Sequence, residues 1–136
     1  MTPEQLVREA LEAMHFAYVP YSGFTVGAAL LTKSGKVYRG CNIENAAYGP
    51  SNCAERTAIF TAVFEGKREF EAIAVVGGKD GVASDFFPPC GVCRQVMAEF
   101  CDPKAFRVLM ARTETDYREC SLEEVLPFGF TKEELQ

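Results

Sequence analysis

Two short patterns in this sequence carry residue types that can do chemistry. One is Cys53-Ala54-Glu55; the other is Pro89-Cys90-Gly91-Val92-Cys93. Cys90 and Cys93 stand three apart, so on the first turn of a helix they share a face and both sulfurs reach one ion. Cys53, from a second helix start, supplies a third sulfur. Three protein ligands leave one corner of a tetrahedron open, which a catalytic zinc needs and a structural zinc lacks. Glu55 follows a ligand by two residues. From there its carboxylate is placed to take a proton from water at the open corner and deliver it to a substrate nitrogen. Three thiolates around one Zn²⁺ leave net negative charge, which opposes that acidification. The amide groups and dipoles of the two helix starts offset part of it. Arg56, the nearest cation in sequence, is expected to donate hydrogen bonds to a ligand sulfur from behind the metal.

The same cysteines also suit a closed zinc knot, if Cys41, Cys101 or Cys120 fills the fourth position. That arrangement describes a zinc-stabilised binding module rather than an enzyme. A lone C-x-x-C does not separate the two; the C-x-E upstream and the proline before the second pair favour catalysis. Outside a knot, Cys41, Cys101 and Cys120 read as small buried hydrophobes. His15 is the one histidine of the chain, so a site built on several imidazoles of this subunit is excluded. It is expected to pack or hydrogen-bond on the first helix.

The elements that must hold these residues follow from periodicity and breakers. Thr2-Pro3 opens a helix whose apolar positions run Leu6, Val7, Ala10, Leu11, Met14 and on to Tyr18, with Pro20 as its stop. Strands are expected over 24–31 and 37–41, joined by a Ser34-Gly35 turn. A helix from Cys53 to Glu65 ends at Gly66. Ala72 to Val76 reads as a buried strand closed by Gly77-Gly78. Residues 85–89 are irregular, and a second ligand-bearing helix runs from Cys90 to about Phe100. Phe106–Met110 and a segment around Tyr117 are the last strands. Ser121 with Glu124 forms a capping-box pattern for a short closing helix. The order α-β-β-α-β-α-β-β-α predicts an α/β fold, a mixed β-sheet covered by helices in three layers, with 1–136 as a single domain.

Composition bounds the partners. The 136 residues are 48% hydrophobic and 24% charged, with a net charge of −5. An acidic chain lacks the electrostatic footprint of a protein that grips nucleic acid or anionic membranes. The N-terminal residues are acidic and amphipathic, with no basic segment leading into an apolar run, so no signal peptide is expected; no stretch reaches the ~18 apolar residues of a membrane span. A cytoplasmic location is expected, where closely spaced thiols stay reduced and serve metals or catalysis. The glycines at 77, 78 and 81 form no phosphate loop, because no Lys-Ser/Thr follows at the right spacing.

Four longer segments, VPYSGFTVGAALLT, GCNIENAAYGPSNCAERTAIF, PPCGVCRQV and LPFGF, together resemble the small homotetrameric cytidine deaminases. The resemblance covers most of the chain, and C-x-E with P-C-x-x-C is close to the signature of zinc nucleobase deaminases. It implies hydrolysis of cytidine or deoxycytidine to the uracil nucleoside and ammonia, in pyrimidine salvage, with one Zn²⁺ per subunit. Cys53, Cys90 and Cys93 then match the zinc ligands and Glu55 the proton shuttle. Asn42 and Glu44 match groups that bond the ribose hydroxyls. Phe24 matches an aromatic beside the nucleoside, and the Ala54 backbone a pyrimidine contact. Tyr48 and Phe130 match groups supplied to a neighbouring subunit's pocket in a homotetramer with shared sites. Phe130 is assigned because it lies three residues after Pro127, as in the family's closing motif; Phe128 is its adjacent competitor. The blasticidin-type nucleoside deaminases share the zinc motif, but NIEN and LPFGF favour the plain nucleoside enzyme. Deamination of single-stranded RNA or of another aminated nucleoside is the second enzymatic reading, and the acidic charge argues against polymers.

Overall fold

The structure, a computed structural model, describes residues 1–135. Helix α1 (Pro3–Ala13) opens with a reciprocal cap: Thr2 Oγ1 accepts from the Gln5 amide at 3.1 Å, and Gln5 Oε1 accepts from the Thr2 amide at 2.8 Å. Its buried stripe is Leu6, Val7, Ala10 and Ala13. The helix stops earlier than the periodicity suggests. Met14–Phe16 tightens into a 3₁₀ turn, and Ala17 leaves helical geometry at ψ 140°. Tyr18 instead bridges Ile43: its amide donates to the Asn42 carbonyl, and its carbonyl accepts from the Glu44 amide. Those two bonds tie the turn at Tyr21 to the Asn42–Glu44 segment, which a helical Tyr18 would not allow.

The strands are β1 (Phe24–Thr32), β2 (Val37–Cys41), β3 (Phe70–Lys79), β4 (Arg107–Ala111) and β5 (Tyr117–Ser121). They form one sheet in the order β2-β1-β3-β4-β5, parallel only between β3 and β4. The remaining helices are α2 (Ala54–Phe64), α3 (Gly91–Phe100) and α4 (Leu122–Val125), with a closing 3₁₀ turn at Lys132–Leu135. A parallel pair needs a crossover, and α3 provides it. The element order and the mixed, helix-covered sheet agree with the sequence expectation.

Two apolar cores lie on opposite faces of the sheet. Leu6, Val7, Ala10 and Met14 pack on Ala29, Ala74, Val76 and Leu109. On the other face Ala58, Ile59 and Ala62 of α2 and Cys93 and Met97 of α3 pack on Ala28, Leu30, Ile73, Val75 and Val108. Truncating a side chain as buried as Leu6, 1% exposed, to alanine costs ~2–5 kcal/mol.

Two close approaches fix where the ligand-bearing elements sit. A Cβ on Gly40 of β2 would lie 2.3 Å from the Ala54 carbonyl and 2.6 Å from the Ala58 amide. Only glycine lets the start of α2 lie that near the sheet. On Gly78 a Cβ would meet the Val82 carbonyl at 1.8 Å. This corrects the expected end of the third strand. Gly77 and Gly78 do not close β3; they pair with Val26 and Thr25 inside it. The missing side chain of Gly78 makes room for Val82 and Ala83, that of Gly77 for the rings of Phe24 and Phe87, and Ser84 donates its amide to the Gly77 carbonyl. The turn falls later, at Asp80 and Gly81, both with positive φ.

Candidate active site

The two ligand-bearing helices begin on the same spot. Cys53 and Cys90 are their N-caps, each extended at ψ near 155–161°, one residue outside the helix the sequence pattern assigns them to. The Cys90 sulfur caps α3 by accepting the Cys93 amide at 3.4 Å. Cys53 Sγ stands 3.5 Å from Cys90 Sγ, and Cys90 Sγ 3.2 Å from Cys93 Sγ. All three sulfurs lie within 4.8 Å of one another. Among the described residues Cys41, Cys101 and Cys120 do not join them, so the fourth-sulfur knot has no donor. Cys101 is buried elsewhere, its thiol pushed up to about 12 by desolvation.

Sulfurs this close cannot all ionise without a cation. The Cys93 thiol, followed by the Arg56 guanidinium, holds Cys53 well below the ordinary thiol range, against the opposing effect of burial. Cys93 is pushed far up, first by its hydrogen bond to Cys53 and then by burial. Arg56 Nη2 donates to Cys53 Sγ at 3.3 Å. A set of three thiolates at two helix N-termini, with a guanidinium against one of them, suits a soft-ligand dication, and zinc fits it.

Glu55 is 3% exposed, the one buried charged residue among the described residues. Desolvation raises its pKa, helped by the negative Cys53 beside it, while hydrogen bonds from its own amide, Cys93 and Cys90 act in the opposite direction. A buried carboxyl with a raised pKa is suited to carrying a proton in and out of a reaction.

In front of the sulfurs opens a cleft of ≈ 360 Å³, which Cys53, Ala54, Glu55 and Cys90 line at one end. Asn42 and Glu44 line it too. Asn42 is clamped to β1: Nδ2 donates to the Phe24 carbonyl and Oδ1 accepts from the Val26 amide, both at 2.9 Å. An amide has four hydrogen-bonding positions, so two remain for a ligand. Glu44 is aimed by the turn before β1. Its Oε1 accepts from the Tyr21 and Ser22 amides at 3.1 Å, and its Oε2 from the Ser22 hydroxyl at 2.5 Å. These bonds, the hydroxyl's above all, hold its pKa below the usual carboxylate value.

Phe24 lines the same cleft, with Phe87 edge-on at 5.0 Å and 87°. Tyr48 and Phe130 do not line it. Tyr48, 73% exposed and at φ 61°, stands edge-on to Tyr21. Phe130 is 57% exposed, its carbonyl accepting from Gln95 Nε2, and Phe128 is fully exposed at φ 55°. His15 is exposed at the end of the first turn after α1. Sequence reasoning missed Ser22 and Phe87. Ser22 sits two residues before Phe24 in a turn, where serine is unremarked. Phe87 lies in an irregular segment, where only the Pro88-Pro89 that follows hints at a fixed backbone.

The family model for the cytidine and deoxycytidylate deaminase zinc-binding region matches residues 1–110. The chain belongs to the cytidine deaminase family. It is 51% identical to a cytidine deaminase of Halalkalibacterium halodurans over 135 residues, covering 99% of this chain and 98% of that one. It is 50% identical to the cytidine deaminase of Sporosarcina psychrophila, over 99% of this chain and 96% of that one. Its fold matches the crystal structure of cytidine deaminase from Burkholderia pseudomallei with a TM-score of 0.87 and 48% identity, over 96% of this chain and 100% of the other. Family membership accounts for the mixed sheet, and the zinc-binding region of the family contains both ligand-bearing helix starts.

Proposed function

We propose that this chain is a zinc-dependent hydrolase that deaminates cytidine and deoxycytidine to uridine and deoxyuridine with release of ammonia, a reaction of pyrimidine salvage. The observation that carries this reading is the convergence of three sulfurs, with no fourth among the described residues, beside the buried Glu55 in a cleft that also presents Asn42 and Glu44.

Cys53, Cys90 and Cys93 hold the metal. Zinc, when bound there, supplies a Lewis acid that makes water a nucleophile near neutral pH. The rest is done by the chain. Glu55 takes the proton of the attacking water and donates it to N3 of the pyrimidine as oxygen adds to C4. It then takes the second proton of that oxygen to the exocyclic amine, which leaves as ammonia. Water and cytidine are consumed; uridine and ammonia are formed. Arg56 draws charge from the Cys53 sulfur. Asn42 and Glu44 hold the sugar hydroxyls, Phe24 packs beside the nucleoside, and the Ala54 backbone meets the pyrimidine.

We propose further that the whole chain is one catalytic domain working as a homotetramer with shared sites. Tyr48 and Phe130, exposed here and outside their own cleft, reach into a neighbour's. Strain at Tyr48 and Phe128, both non-glycine residues at positive φ, fits loops shaped for contact with another subunit. Six free cysteines, three of them close enough to share one metal ion, fit the reducing cytoplasm. No helix among the described residues is long and apolar enough to cross a membrane.

The test is incubation of zinc-replete protein with cytidine, following loss of ultraviolet absorbance and release of ammonia. Stoichiometric ammonia supports the proposal. Zinc-replete protein that leaves both cytidine and deoxycytidine intact contradicts it. A panel including single-stranded RNA separates nucleoside from polymer deamination.

A further inference from the structure

One wall of the cleft comes from the irregular segment between β3 and α3, through Phe87 and Pro88. The adjacent Phe86 points the other way. Two guanidinium groups, of Arg112 and Arg118, lie over its ring, each 4.4 Å from the centroid. Arg112 is fixed in turn by Asp116 across the β4–β5 turn, through Nε at 2.9 Å and Nη2 at 2.5 Å. Arg118 makes no ion pair among the described residues. The face of an aromatic ring carries negative quadrupolar charge, so each guanidinium is attracted to the ring and the ring is anchored by both. Neither arginine lines the cleft.

We propose that Phe86 is a positioning residue: gripped by Arg112 and Arg118, it holds Phe87 edge-on to Phe24 and so sets how tightly the cleft binds its nucleoside. This rests on the nucleoside reading given above. The segment's ends are tied, Gly81 to Thr25, Ser84 to Gly77 and the Pro89 carbonyl to Arg94 Nε, but between them the Phe86 amide bonds only its neighbour Asp85. Pro88 and Pro89 stiffen the backbone that follows, so a displacement at Phe86 is passed to Phe87. The sulfurs and Glu55 sit on α2 and α3 and do not depend on this clamp. Loss of the clamp therefore weakens substrate binding more than it slows the chemical step.

The test compares Phe86→Leu, which keeps apolar bulk and loses the π faces, with Phe86→Tyr, which keeps them. In zinc-replete enzyme, Phe86→Leu is expected to raise KM for cytidine about three- to tenfold with kcat within about twofold, and Phe86→Tyr to restore KM. In a Phe87→Leu background, Phe86→Leu is expected to add little, because both act through the same ring. Arg118→Gln, an exposed change that leaves the fold intact, is expected to raise KM in the same direction. KM unchanged in both Phe86→Leu and Arg118→Gln, kcat falling in step with thermal midpoint, or an effect additive to Phe87→Leu overturns the proposal. Hydrogen exchange of residues 82–87 in zinc-loaded protein without nucleoside tests the clamp separately from the reaction. Faster exchange in Phe86→Leu supports it even if cytidine proves not to be the substrate, and unchanged exchange overturns it.

Discussion

Arg56 Nη2 donates to the Cys53 sulfur at 3.3 Å, back across the first turn of α2, while Arg56 Nε is buried with no partner among the described residues. A buried, unsatisfied donor costs stability, so this guanidinium is held against the sulfur at some expense to the fold. Its use is electrostatic. In the role proposed above it would draw negative charge from the Cys53 sulfur, leaving a bound metal more able to acidify water. Arg56→Gln is expected to move the acid limb of the kcat/KM profile upward by about one pH unit, the equivalent of ~1.4 kcal/mol. An unmoved limb in zinc-replete protein would remove Arg56 from the chemistry.

Glu55→Gln keeps the size and the hydrogen-bonding shape of the buried side chain and removes its proton transfer. General acid–base groups contribute about 10²–10⁴-fold, so kcat should fall by that much while zinc content and thermal midpoint stay near those of the parent. Metal analysis beside single-turnover kinetics checks it; retained turnover would take the proton-transfer role away from Glu55.

Ser22 aims Glu44, and its hydroxyl is the largest cause of that carboxyl's lowered pKa. A depressed pKa means Glu44 stays ionised as pH falls through the ordinary carboxylate range, and its contribution is lost only below that. Ser22→Ala removes the strongest donor, and the pKa returns upward. The rise of KM for cytidine on acidification should then begin at higher pH in Ser22→Ala than in the parent. Glu44's stabilisation of the fold has the same sign: present above the unfolded value, lost as pH falls through the folded one.

The ligand pattern was legible because it is local: Cys53-x-Glu55 and Cys90-x-x-Cys93 each lie within one turn of a helix start, and helix starts announce themselves through proline, turn residues and apolar spacing. The strand order was not, since nothing in the segments themselves states which neighbours pair. Gly77-Gly78 misled because glycine marks both turns and close approaches, and only the fold, which brings Phe24 and Phe87 over Gly77 and Val82 over Gly78, decides between them. Tyr18 misled because its spacing continues the helical stripe, while the backbone bonds to Asn42 and Glu44 come from residues far along the chain. Phe87 and Ser22 escaped for the same reason. Their partners, Phe24 across the sheet end and Glu44 across the turn, are set by the fold rather than by spacing.

Gly40 is where the sheet admits the start of α2, with the Ala54 carbonyl and Ala58 amide in the place a Cβ would take. Both obstacles are backbone, so Gly40→Ala must push the helix outward. Overpacking of this kind costs about 1–3 kcal/mol, seen as a lower thermal midpoint, and the displaced Cys53 should also loosen zinc in a chelator competition. A variant with parent stability and parent zinc retention would show that α2 tolerates the shift.

The central claim is that three sulfurs hold the metal and a fourth position stays open beside Glu55. X-ray absorption at the zinc edge of the purified, zinc-loaded protein tests it most directly. The account predicts three sulfur scatterers and one oxygen or nitrogen, with the light atom's signal changing when a nucleoside analogue is added. Four sulfurs, unchanged by the analogue, would contradict it.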